Sequence, residues 1–268
     1  MSISTVDDIA SALANNRKGS RFVKTFNAPK AAGSFISGWA AAGFPGAGGA
    51  APAYNAGSGY QCTSATPGAQ AYPACSVQAW LARLSLGSSQ PGVLILMDRL
   101  WCCGGMGFGA NTYAVTTPGS LPARITDGGV GVEAWIDTLA VNGAASGTLV
   151  LNYLDTLGNS KSGTVPAVVS APAANQIQPI PLDPSSLGIS QVVSAVTNQT
   201  WTSGTFGILL AKRLLEIPIP AVDMGINLDW ASIGIPQIDN SNACLMWAFL
   251  AATANGPVIL GTMDIIDK

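Results

Sequence analysis

The sequence contains no histidine and few charged residues. Of its 268 residues, 12 are Lys or Arg and 14 are Asp or Glu. That is 10% of the chain, against about 25% in an average soluble domain. Without histidine the chain can form neither a Ser-His-Asp or Cys-His catalytic pair nor a His-ligated zinc or haem site. Any catalysis would depend on carboxylates, cysteine, lysine or tyrosine.

A long apolar run is also missing. The longest nearly apolar stretch, Ala243 to Ala254, has 12 residues, whereas a membrane-spanning helix needs about 20. The N-terminus, MSISTVDDIA, carries acidic residues where an export signal would carry Lys or Arg. We therefore expect no membrane association and no export.

Between Ala31 and Ala82 there is no charged residue at all. This charge-free segment is rich in Gly, Ala, Ser and Pro, but it also carries aromatic residues, among them Phe35, Trp39, Phe44, Tyr54 and Tyr60. A flexible spacer would have a similar small-residue composition, yet it would not need the aromatic side chains. We interpret the segment as a long extended arm that lies along other subunits, with the aromatics as interface residues.

A short amphipathic helix is predicted from Ser4 to Asn15. Ser4 and Asp7 have the spacing of a capping box, and Val6, Ile9 and Leu13 share one face at helical spacing. A helix of about 12 residues is marginal by itself, so this apolar face is a further interface candidate.

The segment after this helix is basic. Five of the 12 basic residues lie within 14 positions: Arg17, Lys18, Arg21, Lys24 and Lys30. A solvated loop and a docking site for an acidic partner are the two interpretations. Nucleic-acid binding ranks below a protein partner, because five charges give only weak, salt-sensitive affinity.

Ser76 to Leu86 is predicted as a second helix, because Val77, Trp80, Leu81 and Leu84 recur at helical spacing. After this helix the pattern changes to β. Short apolar or alternating runs then predict nine strands, of which Gln191–Thr200 and Thr205–Lys212 would form a hairpin. The other seven are Val93–Met97, Tyr113–Thr117, Val132–Leu139, Thr148–Tyr153, Ser162–Val169, Cys244–Ala251 and Val258–Ile266.

These patterns predict a mainly β protein. Many short strands separated by turn residues are typical of an antiparallel β-sandwich or jelly roll. We divide the chain into an N-terminal helix and extended arm, residues 1–87, and a β-sandwich domain, residues 88–268.

Five cysteines leave three alternatives open. Cys62 and Cys75 lie 13 positions apart in the charge-free segment, where a disulfide would contribute about 3 kcal/mol. Free thiols are the second alternative. A zinc site built with Cys102 and Cys103 is the third, although adjacent cysteines fit tetrahedral ligation poorly and no CxxC occurs. Cys244 lies in an apolar strand and is predicted to be core.

No motif predicts an enzyme. Gly105 to Ala110 has the form GxGxxA, but β-forming residues follow it where a dinucleotide site needs a helix. The only glutamates, Glu133 and Glu216, lie far apart in sequence, and the aspartates suit turns and caps. We expect no catalytic residue, no metal and no cofactor.

Several segments resemble a family of structural proteins from tailed-bacteriophage virions. The first is Lys30-Ala31-Ala32-Gly33-Ser34-Phe35-Ile36-Ser37-Gly38-Trp39 with its continuation Ala41 to Gly48, and the second is Met97-Asp98-Arg99-Leu100-Trp101 before a glycine-rich loop. The others are Leu149–Tyr153, Thr205–Leu210 and Ala243–Trp247. Together they span most of the chain.

The resemblance implies a non-enzymatic virion protein assembled in the bacterial host cytoplasm. The expected role is a capsid decoration or cement protein whose partners are the major capsid protein and copies of itself, as a homo-oligomer such as a trimer. The alternatives are the major shell subunit, a tail or head–tail connector component, or, in a different class, a glycan-binding or glycan-cleaving receptor protein.

Overall fold

The computed structural model describes residues 3, 5–29, 31–56, 60–109, 111–115, 121–141, 143, 147–168, 174–198 and 203–268. In these residues the chain forms helices α1 (Val6–Asn15) and α2 (Trp230–Ile233). The strands are β1 (Arg17–Thr25), β2 (Phe35–Ser37), β3 (Ala42–Phe44), β4 (Tyr60–Gln61), β5 (Ala79–Ser88), β6 (Gly92–Gly107), β7 (Asn111–Ala114), β8 (Val132–Ala140), β9 (Leu149–Asp155), β10 (Ser160–Val165), β11 (Gln176–Ile180), β12 (Ile189–Thr197), β13 (Thr205–Ile219), β14 (Met224–Leu228), β15 (Gln237–Ile238), β16 (Leu245–Ala251) and β17 (Val258–Asp267). None of the described helices is long and apolar enough to cross a membrane.

The predicted fold class is confirmed: the protein is mainly β, with antiparallel sheets and a small N-terminal helix. Each of the nine predicted strands overlaps an observed strand. Their predicted ends at Thr117, Val169 and Thr200 lie outside the described residues. Local sequence pattern therefore located most of the strands.

A closed ring of six strands forms the centre of the molecule. The pairing order is β13–β8–β11–β2–β16–β6, and β6 pairs in turn with β13, which closes a small barrel. Side chains that alternate along these strands fill its interior. The largest of these interior side chains are Met97, Trp135, Ile177, Leu209 and Met246.

One sheet covers each side of the barrel. The sheet β14–β5–β17–β1–β3, with β15 also paired to β5, packs on one side, and the sheet β10–β9–β12–β7 packs on the other. Phe22 and Met263 of the first sheet meet Trp247 of the barrel wall in one apolar core. Tyr153 of the second sheet shares the other core with Phe206. The sandwich thus has three layers, with the barrel in the middle.

The charge-free segment is part of these layers. Its strand β2 lies between β11 and β16 in the barrel, and β3 pairs with β1 at the edge of the six-stranded sheet. The predicted boundary at residue 87 falls inside β5, and β1 pairs with β17 at the other end of the chain. Burial of its apolar side chains within the same chain replaces the extended arm that we predicted.

The helix predicted from Ser76 to Leu86 is wrong, because most of this stretch is strand β5. Leu81 and Leu84 face the core between the sheet and the barrel, while Trp80 and Ala82 face α1 on the opposite side. A β-bulge beside Asp264 and Ile265 shifts the alternation. A strand buried on both faces with a bulge imitates the spacing of an amphipathic helix.

The predicted hairpin of Gln191–Thr200 with Thr205–Lys212 is also wrong. Strand β12 pairs with β9 and β7 in the four-stranded sheet, whereas β13 pairs with β6 and β8 in the barrel. The turn from Leu157 to Ser160, in contrast, does join two paired strands, β9 and β10. Asp155 accepts hydrogen bonds from the backbone N–H groups of Leu157 and Asn159 in that turn.

Candidate interface and binding sites

Helix α1, predicted as an interface element, packs on its own chain. Its capping box is formed by Thr5 and Asp8, one residue later than expected, and Ser4 lies outside the described residues. Ile9 is buried against Ala82 and Ile266 on the outer face of the six-stranded sheet. The two other candidates differ: Leu13 is half-buried at the same contact, whereas Val6 is 60% exposed.

The aromatic candidates of the charge-free segment are divided between core and surface. Trp39 is buried. Phe35 packs edge-on to Trp135 with ring centroids 5.2 Å apart, and Tyr54 packs similarly against Tyr113. Tyr60 lies in β4, but its side chain is outside the described residues. The exception is Phe44, which is 57% exposed.

Phe44 begins a row of small and apolar residues across the six-stranded sheet, all exposed except the half-buried Gly87. Val23 pairs with both Phe44 and Leu260, Leu260 pairs with Gly87, and Gly87 pairs with Gly225. Val23 is 42% and Leu260 is 56% exposed. We call this row of five residues the apolar strip. Since α1 covers only the other end of this face, the strip is open to solvent within the chain.

Basic residues flank the apolar strip. Arg21, one row away on β1, is exposed and pairs in register with Thr262. Arg17 and Arg83 lie further along the same face, where Arg17 contacts Asp264 at 3.7 Å. The predicted basic loop is therefore strand β1, and it presents Arg17 and Arg21 beside an apolar surface. Such a surface suits a partner with apolar side chains and nearby carboxylates.

The sequence did not identify Val23, Leu260, Gly87 or Gly225 as interface residues. Alternation along β17 does leave Val258 and Leu260 on one face, but only the strand order aligns them with Phe44. The apolar strip is thus a product of non-local pairing.

All five cysteines are buried, and none of them is in a disulfide. The predicted pair is not brought together, because Cys62 lies in the barrel interior whereas Cys75 lies in the core beneath the six-stranded sheet. The neighbour of Cys62 is instead Cys102, with their sulfur atoms 3.9 Å apart. Cys244 is core, as its apolar strand indicated. Among the described residues, no group of Cys, Asp and Glu could hold a metal ion.

The segment Met97-Asp98-Arg99-Leu100-Trp101 joins the barrel to its surroundings. Met97 and Arg99 are associated with the barrel interior, and Leu100 and Trp101 lie in the core on the four-stranded side. Asp98 forms a nearly buried ion pair with Arg124. Arg124 also donates to the backbone carbonyls of Cys62 and Arg99. These contacts connect strand β6 to the loop that carries Arg124.

The two glutamates share one partner. Arg213 donates to Glu133 at 3.0 Å and also to Glu216, and its guanidinium lies 5.8 Å from the ring centroid of Trp135. The other motif considered for chemistry, the GxGxxA segment, continues as strand through Gly107 and leads into β7, while Ala110 lies outside the described residues. Both features are explained by structure.

One mouth of the barrel contains a polar cavity of about 230 Å³. Arg99 and Asp137 line it and are 1% and 7% exposed. The guanidinium carbon of Arg99 lies 4.3 Å from the ring centroid of Trp39. Burial raises the pKa of Asp137, although the positive charge of Arg99 opposes this rise. No local sequence pattern indicates this site, since Asp137 and Arg99 meet only because the barrel closes.

Comparisons with known proteins gave little. No protein-family model matches the chain, and no curated protein matches it in sequence. Among solved structures, the VP2 subviral particle of infectious bursal disease virus aligns over 94% of this chain and 81% of its own, with 6% identity and a TM-score of 0.19. A structure of the Gt strain of that virus aligns over 93% and 80%, with 8% identity and a TM-score of 0.17. Likenesses this slight carry no argument about function.

Proposed function

We propose that the protein is a non-enzymatic structural component of a tailed-phage virion, in the role of a decoration or cement protein on the head. It would bind the major capsid protein and copies of itself. The observation that carries this proposal is the apolar strip, which crosses five strands and is left uncovered by the chain's own helix. The sequence resemblance to virion structural proteins supports the same role.

The low charge of the chain fits a covered surface. With a net charge of −2, an exposed apolar strip promotes association. Fully burying a large apolar side chain contributes about 1.5–3 kcal/mol, so Phe44, Val23 and Leu260 together would supply a useful part of a subunit contact. Arg17 and Arg21 would orient that contact towards acidic residues of the partner.

Copy number and radial position in intact particles test the role. A reconstruction that places many copies on the outer surface of the head supports a decoration protein. If the copies form the shell itself, the protein is the major shell subunit. If a few copies lie at the tail or connector, it is a tail or connector component. Absence from purified particles would refute a virion role.

The contact itself can be tested by adding purified protein to particles that lack it. Phe44→Ser with Leu260→Ser should abolish binding or self-association, because both substitutions remove apolar area from the strip. Leu157→Ser is the matched control, since Leu157 is 84% exposed in the turn between β9 and β10. If the strip variant binds as well as the control, the strip is not the contact.

A further inference from the structure

The cavity at the barrel mouth is enclosed by elements that are distant in sequence. Trp39 and Gly49 come from the charge-free segment, Arg99 from β6, and Asp137 and Leu139 from the end of β8. Asn175, just before β11, completes the rim. Two backbone hydrogen bonds of 2.7 Å hold the part of the charge-free segment that lines the cavity. One runs from Gly48 N–H to Trp39 O, and the other from Gly104 N–H to Pro52 O.

Polar groups in the cavity are left without partners. The carboxylate of Asp137 accepts no hydrogen bond from the described residues, and the side-chain amide of Asn175 makes none with them. The buried Nε of Arg99 has no acceptor either. Buried polar groups in folded proteins are normally hydrogen-bonded. The cavity therefore offers acceptors and donors that the described part of the chain does not use.

The opposite charges of Asp137 and Arg99 limit the charge that a ligand of this cavity can carry. An anion would meet the carboxylate of Asp137, and a cation would meet the guanidinium of Arg99. A neutral molecule with several groups that both donate and accept avoids both repulsions. Trp39 and Leu139 add apolar surface to the wall, which suits a ring with one less polar face.

We propose that this cavity binds a single neutral sugar ring, such as the terminal unit of a glycan. Each sugar hydroxyl can donate to Asp137 and accept from Arg99 or from the amide of Asn175. The volume of about 230 Å³ is below the roughly 300–1,000 Å³ of ordinary ligand pockets, so it admits one ring and not a longer chain. The site is independent of the apolar strip, which lies on the outer face of the six-stranded sheet.

The full-length protein is titrated with glucose, galactose, mannose, rhamnose and N-acetylglucosamine, with binding followed by calorimetry and tryptophan fluorescence. At least one sugar should bind with a dissociation constant on the order of 1 mM, as expected for a small ligand with few contacts. If none of the five binds, the proposal is overturned.

Variants locate the binding. Asp137→Asn should weaken the sugar's affinity at least about tenfold, because a hydrogen bond to a charged acceptor is lost. Asn175→Gly removes the amide and retains the positive φ of 67°, and it should weaken binding as well. Asp223→Gly is the matched control, since Asp223 has a φ of 55° and does not line the cavity.

A third variant avoids the buried charges. An added Cβ at Gly49 meets no atom within 4 Å, so Gly49→Leu should fold normally and add bulk at the rim. Loss of binding in Gly49→Leu and Asn175→Gly supports the site even if Asp137→Asn fails to fold. Unchanged affinity in both would place the sugar elsewhere and overturn the proposal.

Discussion

Arg124 binds Asp98 with two hydrogen bonds of 2.8 Å, one from Nε to Oδ2 and one from Nη2 to Oδ1. The side chains are 5% and 9% exposed. Asp98 also accepts the backbone N–H of Cys244 at 2.9 Å. The pair therefore connects the loop around residue 124 to strand β6 and to the segment before β16.

Arg124→Ala should strongly destabilise the protein. It leaves the carboxylate of Asp98 buried and unpaired, which costs about 3–5 kcal/mol of unfolding free energy. Urea denaturation measures this loss. Arg83→Ala, at an exposed position of β5, serves as the control and should change stability by less than about 0.5 kcal/mol. Equal effects of the two substitutions would contradict the role of the pair.

Lys24 predicts a pH dependence of stability. Its side chain is 2% exposed, and Nζ lies 3.3 Å from the carbonyl oxygens of Ala41 and Gly46. Burial lowers the pKa of Lys24 to about 8 from its ordinary 10.5. Between these values the unfolded Lys24 side chain binds more protons than the folded one, so Lys24 contributes a rise in the unfolding free energy as pH increases from about 8 to 10.5.

Lys24→Met should remove that rise, which denaturant unfolding at several pH values would measure. Lys161→Met is the control, because Lys161 lies on the four-stranded sheet and is partly exposed. The control should keep the rise. A Lys24→Met protein with an unchanged pH profile would show that Lys24 does not cause it.

Oxidation should join Cys62 to Cys102 and not to Cys75. The hydrogen bond with Cys102 lowers the pKa of Cys62, but the hydrogen bond with Cys244 and burial outweigh it and raise that pKa to about 11. We therefore expect slow reaction with thiol reagents in the folded protein and fast reaction in denaturant. Peptide mapping after mild oxidation should find the Cys62–Cys102 disulfide.

Two cysteine variants complete this test. Cys75→Ser should still form the disulfide, whereas Cys102→Ser should not. A Cys62–Cys75 disulfide in the folded protein would contradict the separate locations of these thiols.

Two glycines of the six-stranded sheet should respond differently to alanine. A Cβ on Gly261 would lie 2.5 Å from the carbonyl oxygen of Ser85 and 2.6 Å from the ring of Phe22, which stacks on Trp247. Gly261→Ala should therefore lower the unfolding free energy by about 1–3 kcal/mol. Gly225→Ala, with no atom near its Cβ, should be almost neutral. Thermal and urea unfolding of the two variants would show whether this order holds.

The sequence by itself determined the β class, the N-terminal helix and the approximate location of nine strands. These features depend on the local alternation or spacing of apolar residues, as in Val132–Leu139 and Val258–Ile266. Local pattern failed at Ser76–Leu86, because burial on both faces of β5 and a bulge produced a helical spacing.

Only the tertiary structure decided which strands pair and what their side chains meet. The hairpin expected between β12 and β13 does not form: β12 pairs with β9 and β7, whereas β13 pairs with β6 and β8. The same non-local pairing draws the charge-free segment into the barrel, aligns Phe44 with Leu260 through Val23, and brings Asp137 near Arg99. Hydrogen bonds between strands are not specific to side chains, so a sequence read locally does not contain these relationships.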